Sequence, residues 1–151
     1  PRESKIINDK EKYIIKVNSL ELCNLLSYSS FAYSHGIIKI LGVQHDKGYI
    51  DVKIYINKDS FLNEALAIES IRKKPTKGET IIPLSKVHKG EMAIVIYHDE
   101  NDDGQLNTGL FWRPKEGYAF SNGYIPKGSP KYLKSVINVT HGEPIIIGLN
   151  Y

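Results

Sequence analysis

The sequence predicts an all-β fold: a seven- to eight-stranded antiparallel Greek-key sandwich behind a short N-terminal extension. Three observations lead there. Runs of β-branched and aromatic residues recur from Gly36 onward, separated by turn signals at intervals that suit a sandwich. Tyr49-Ile50-Asp51-Val52-Lys53-Ile54-Tyr55-Ile56 alternates cleanly, the signature of a strand with one face in the core and one toward solvent. At 151 residues, with 41% hydrophobic and 25% charged side chains and ten Tyr, the chain is long enough to bury a core without a metal or disulfide.

Pro1 to Asp9 is polar and charged apart from Ile6-Ile7, and a frayed start is expected. Tyr13 to Val17 reads as a short strand. Asn18 with Glu21 three residues on resembles a capping box, and Leu22, Leu25 and Leu26 fall at helical spacing up to Tyr28. Residues 1–35 are therefore taken as an extension and 36–151 as the sandwich. In the sandwich, Ile37 to Val43 is a strand closed by the turn His45-Asp46-Lys47-Gly48. Tyr49 to Ile56 follows, with Ile50, Val52, Ile54 and Ile56 on the face turned to the core and Tyr49, Asp51, Lys53 and Tyr55 on the other.

Asn57 to Asn63 should be a turn or single helical turn, with Phe61 and Leu62 tucked against the core. Ala65 to Ile71 is assigned as a strand, and Arg72-Lys73-Lys74 with Lys77 as a solvated turn. Ile81 to Leu84 is an edge strand, since Pro83 cannot donate to a ladder. Met92 to Tyr97 is apolar on both faces and predicts a central strand. Gly117 to Gly123 is an aromatic strand with a turn. Tyr132 to Val139 and Pro144 to Tyr151 are the last strands, joined by Thr140-His141-Gly142-Glu143.

Net charge is +3, from 20 basic and 17 acidic residues, and Lys is spread evenly rather than gathered on one face, which argues against nucleic acid. No apolar run reaches the roughly 20 residues of a spanning helix. The chain opens on Pro1 without an initiator Met, so the lack of a leader says nothing about export. The single Cys23 excludes an internal disulfide and reads as a small buried hydrophobe.

The segment that asks for a specific chemistry is His98-Asp99-Glu100-Asn101-Asp102-Asp103-Gly104-Gln105-Leu106-Asn107. Asp99, Asn101, Asp103 and Gly104 occupy positions 1, 3, 5 and 6 of a calcium loop, where three inward oxygens are turned sharply by Gly. Gln105 would offer its carbonyl at position 7, Leu106 would plug into the core, and Asn107 would bind at position 9 directly or through water. Position 12 is Leu110 rather than the bidentate Glu, so Glu116 is the nearest downstream acid to complete the set. Calcium is read ahead of magnesium, with affinity of about 10⁻⁴–10⁻³ M. The competing reading is an acidic turn whose Asx side chains cap their own backbone, at the Coulomb cost of Asp99, Glu100, Asp102 and Asp103 without a counter-charge.

Met92-Ala93-Ile94-Val95-Ile96-Tyr97-His98-Asp99-Glu100-Asn101, then Asp103-Gly104-Gln105-Leu106-Asn107, then Arg113-Pro114-Lys115-Glu116-Gly117-Tyr118-Ala119-Phe120-Ser121-Asn122 resemble an exported bacterial family designated domain of unknown function 2141. The resemblance covers about 36–151. It departs at Glu91-Met92-Ala93, at Asn107 where the family has Asp, and at Ala119 where it has a second Gly; the Asn107 change removes one charge from the loop. The resemblance implies a transthyretin-like (prealbumin-like) sandwich and secretion or a periplasmic location. It implies no activity.

Three functions follow as expectations. The first is an exported, non-enzymatic module with a calcium loop that binds an extracellular or envelope partner, protein or glycan. The second is a secreted hydrolase using His98 and Glu116 near a bound cation, although a hydrogen-bonded structural role for His98 is favoured because no nucleophile or partner His accompanies it. The third is a secreted host-interaction, or virulence, factor that docks through Leu22, Leu25, Tyr28, Phe31 and Tyr33. Trp112 and Arg113 are exposed candidates; Trp112, Tyr118 and Phe120 would be a stacking surface on a functional reading, with Tyr118 and Phe120 favoured as core. His35, His45, His88 and His141 sit beside turns and are expected to face solvent.

Overall fold

The computed structural model describes residues 4–7, 14–17, 36–87, 89–109 and 114–151. The chain divides into two compact units, Pro1–Ala32 and Tyr33–Tyr151. The first contains an antiparallel pair, β1 (Ser4–Ile7) and β2 (Ile14–Val17), with Ser4 opposite Val17 and Ile7 opposite Ile14. A strand therefore replaces the frayed start, because Ile6 and Ile7 find partners in Ile15 and Ile14. The helix expected after Asn18, Cys23, His35 and the patch from Leu22 to Tyr33 lie outside the described residues.

The second unit is all-β, with eight strands in two sheets: β3 (Ile37–Val43), β4 (Tyr49–Tyr55), β5 (Glu69–Lys73), β6 (Gly78–Pro83), β7 (Gly90–Asp99), β8 (Tyr118–Phe120), β9 (Val136–Val139) and β10 (Ile145–Gly148). One sheet runs β10-β3-β6, and the other β5-β4-β7 with β8 and β9 sharing the far side of β7. Pro83 ends the edge strand β6, where a missing N–H costs nothing. Among the described residues no helix is long and apolar enough to cross a membrane.

One core joins the sheets. Ile38, Ile40, Ile82 and Ile147 from the first meet Ile50, Val52, Ile54, Met92, Ile94 and Ile96 from the second. Each such side chain contributes roughly 1.5–3 kcal/mol when fully removed from water. The even-numbered residues of β7 supply this face and the odd ones the other, as the period of two requires.

That other face is not solvated. Asp51 and Tyr55 of β4 are buried, the latter with Val95 and Phe120 under Phe61, Tyr118, Tyr124 and Tyr132. The alternation of β4 correctly separates its faces but cannot reveal that a second, aromatic layer covers the polar one. Ile56 and Leu62, expected in the core, are 50% and 38% exposed, because β4 ends at Tyr55 and Leu62 turns outward at φ 67°.

Two segments change type partway. Within Ala65 to Ile71 a 3-10 turn at Glu64–Leu66, capped by the Asn63 carboxamide, precedes β5. Within Tyr132 to Val139 a helical turn, α1 (Tyr132–Ser135), precedes β9. The turn sets Ser135 to accept from the Ser121 hydroxyl, which in turn accepts from the Ile94 amide at 2.8 Å. Ile94 lies between the residues of β7 that pair β9 and those that pair β8, and Ser121 fills that gap in the ladder.

The final two strands do not form a hairpin. β9 pairs β7, while β10 crosses to the other sheet and pairs β3 in parallel, Ile145 opposite Ile38. Every other strand pair is antiparallel among the described residues.

Candidate functional site

β7 ends in the predicted segment, and consecutive residues there point to opposite faces. Register places Tyr49 opposite Asp99, and Asp51 opposite both Tyr97 and Arg72. His98 consequently projects toward the core side and Asp99 toward the outer side. Two clusters, one per face, meet at this end of the strand.

On the outer side Arg72 from β5 reaches across β4. One guanidinium nitrogen donates to Asp51 Oδ2 at 2.6 Å, and the other to Asp99 Oδ2 at 2.8 Å and Asp102 Oδ1 at 2.5 Å. The acidic segment thus has a counter-charge, and Arg72 belongs to a strand rather than to a solvated turn. Burial works against ionisation of Asp99, yet the Arg72 hydrogen bond and the Gly104 and Asp103 amides hold its carboxyl below the usual range. For Asp51 burial dominates, pushing it up to about 6 against the pull of Arg72 and Lys53.

The loop itself is closed by its own oxygens. Asp99 Oδ1 accepts from the Asp103 amide at 3.1 Å and Asp99 Oδ2 from the Gly104 amide at 2.8 Å. Asp103 Oδ2 accepts from the Asn101 and Asn107 carboxamides at 3.0 and 2.7 Å, and its Oδ1 from the Gln105 amide at 2.9 Å; these bonds, the Asn107 one first, lower its pKa. Asp102 and Gly104 take positive φ to make the turn. Leu106 is half-buried at the surface rather than a core plug.

Glu116 does return to the loop. Its Oε1 accepts from the Glu100 amide at 3.2 Å and its Oε2 from the Asn107 amide at 3.0 Å, while Thr108 bridges Pro114 and the Lys115 amide donates to Asn107 O. Asp99, Asn101, Asp103, Asn107 and Glu116 are thereby gathered by direct hydrogen bonds, with Gln105 held through its amide. Leu110, Trp112 and Arg113 lie outside the described residues, as does His88.

The core-side cluster was only half visible in the sequence. His98 is fully buried, with Nε2 2.7 Å from Lys47 O and Nδ1 2.7 Å from the Tyr151 hydroxyl. A carbonyl can only accept, so Nε2 carries the hydrogen and Nδ1 receives that of Tyr151. The Tyr151 hydroxyl also accepts from the Gln44 amide at 3.2 Å. Tyr151 reaches this position because Asn150 bridges Tyr118, and because Gly117 has no Cβ: one there would sit 2.5 Å from the ring.

His45 joins them from the turn between β3 and β4, rather than facing solvent alone. Its Nε2 lies 3.0 Å from Glu100 Oε2, and its ring centroid 4.7 Å from that of His98. Gly48 permits this close turn, since a Cβ there would fall 2.0 Å from Asp99 O. Among the described residues, His45, His98 and Glu100 are the one group of three His, Cys or acidic side chains whose ligand atoms all lie within 4.8 Å of one another. A His beside a turn carries no sequence signal for this; the β4–β7 register does.

A family model described as an uncharacterised protein conserved in bacteria (DUF2141) matches residues 38–146. Neither the curated proteins nor the solved structures give a match to the chain.

Proposed function

The chain belongs to this DUF2141 family of bacterial proteins, and on that premise we propose that it is an exported, non-enzymatic module whose β7–β8 loop takes calcium and presents a surface to an extracellular or envelope partner. The body is read as a Greek-key sandwich of the transthyretin-like kind. The ligands are Asp99, Asn101, Asp103, the Gln105 carbonyl, Asn107 and Glu116. What supports the reading is Glu116: it folds back across the loop so that its carboxylate sits against Asn107 and the start of the loop, supplying the acid that position 12 lacks. Oxygen-rich, flexible donor sets of this kind suit Ca²⁺ over the smaller, more rigid Mg²⁺. A cleft lined by Lys53, Glu64, Tyr97, Gln105, Leu106 and Thr108 opens beside the loop, offering both charges and an aromatic edge to a peptide or glycan.

The hydrolase reading has less behind it. The His98 side chain is fully buried, and its one ring lone pair, on Nδ1, is covered by the Tyr151 hydroxyl. A general base needs a free lone pair within reach of substrate.

The test is thermal unfolding in calcium, magnesium or chelator, on the wild type and on Asp103→Ala, which alters an exposed loop residue. At 10 mM Ca²⁺ and a Kd of about 10⁻⁴–10⁻³ M, binding adds roughly 1.5–3 kcal/mol. A rise of several degrees is expected in the wild type and none in Asp103→Ala. A wild-type transition that calcium leaves unmoved defeats the proposal.

A further inference from the structure

The side chains of His45, His98 and Glu100 gather on the core side of the β7 end, and none of them is among the calcium ligands. We propose that they form a second metal site, for a borderline divalent transition ion of the Zn²⁺ type, with solvent completing the coordination. The inference goes beyond the calcium reading and does not rest on it.

Two imidazoles and one carboxylate are a donor set that zinc accepts readily and calcium does not. Zinc–donor bonds of about 2.0–2.1 Å place tetrahedral donors about 3.3 Å apart. His45 Nε2 and Glu100 Oε2 are already 3.0 Å apart, with a shared hydrogen where the ion would sit. Both side chains are about a third exposed, at 34% and 33%, so they can close the remaining distance to the buried His98 while the ion enters from solvent.

His98 is held as a ligand should be. Its Nε2–H donates to Lys47 O at 2.7 Å, fixing the ring and leaving the lone pair on Nδ1; a backbone carbonyl on the opposite nitrogen is the usual way a metal-binding His is oriented. That lone pair receives the Tyr151 hydroxyl, which makes Tyr151 the competitor that the ion displaces. Glu100, in turn, has its amide held by Glu116.

Calorimetric titration with Zn²⁺ alone decides the matter, using the wild type, His45→Ala, Glu100→Gln, Tyr151→Phe and Asp103→Ala, each checked for folding by circular dichroism. One ion per chain is expected, with His45→Ala and Glu100→Gln each weakening binding at least about tenfold. Tyr151→Phe, lacking the competing hydroxyl, should bind more tightly, and Asp103→Ala as the wild type does. The calcium-induced rise in melting temperature should survive in His45→Ala, so the two sites fail or stand separately. No saturable binding, or wild-type affinity in both His45→Ala and Glu100→Gln, overturns the site.

Discussion

Arg72 is the residue on which the outer half of the site depends. It stands 21, 27 and 30 positions from its three carboxylate partners, and Tyr49 packs beneath its guanidinium at 4.4 Å. Surface ion pairs contribute little, but Asp51 and Asp99 are buried, and removing Arg72 leaves both without their shared counter-charge. Arg72→Met should lower unfolding free energy by about 3 kcal/mol at pH 7, read from urea titration. A loss under about 1 kcal/mol would show that the carboxylates relax to solvent instead.

At the scale of elements, β5 does more than pair with β4. The Glu69 carboxylate accepts the Ser85 amide and hydroxyl at 2.7 and 2.8 Å, and the Lys86 and Val87 amides at 3.0 and 3.2 Å. The segment following β6 of one sheet is thereby fastened to an edge strand of the other. Glu69→Gln keeps the shape but turns an NH₂ toward amide donors, so a loss of about 2–4 kcal/mol is expected. Hydrogen exchange should show the Lys86 and Val87 amides opening well before the β4–β7 ladder; uniform loss of protection would refute the clamp.

For the whole molecule, these carboxylates set the response to pH. Burial raises Glu69 but its four hydrogen bonds outweigh it, so Glu69, like Asp99 and Asp103, titrates lower folded than unfolded. Such groups bind fewer protons when folded, so their stabilisation is present above their unfolded pKa and lost as pH falls through the folded one. Asp51 has the opposite sign: its folded pKa of about 6 exceeds 3.8, so its ionisation costs stability as pH rises through 6. The urea midpoint should rise modestly from pH 7 to about 5 and fall below about 4.5. Asp51→Asn should abolish the rise and keep the acid limb.

What the sequence determined by itself was local. Period-two alternation marked β4, β-branched runs between turn signals marked β3 and β10, double-sided apolarity marked the central β7, and the Asp-Asn-Asp-Gly spacing marked the loop to which Glu116 returns. These are legible because strand pleat and turn geometry act over a few residues. Only the tertiary structure decided that Arg72 neutralises the acids, that His45 and Tyr151 close around His98, that aromatics cover the outer face of β4, and that β10 runs parallel to β3. The reason is physical: cross-strand register and sheet order bring together side chains tens of residues apart, and no local pattern carries that pairing. Residue 98 and residue 99 show the difference most plainly, neighbours in the chain that the pleat assigns to separate chemistries.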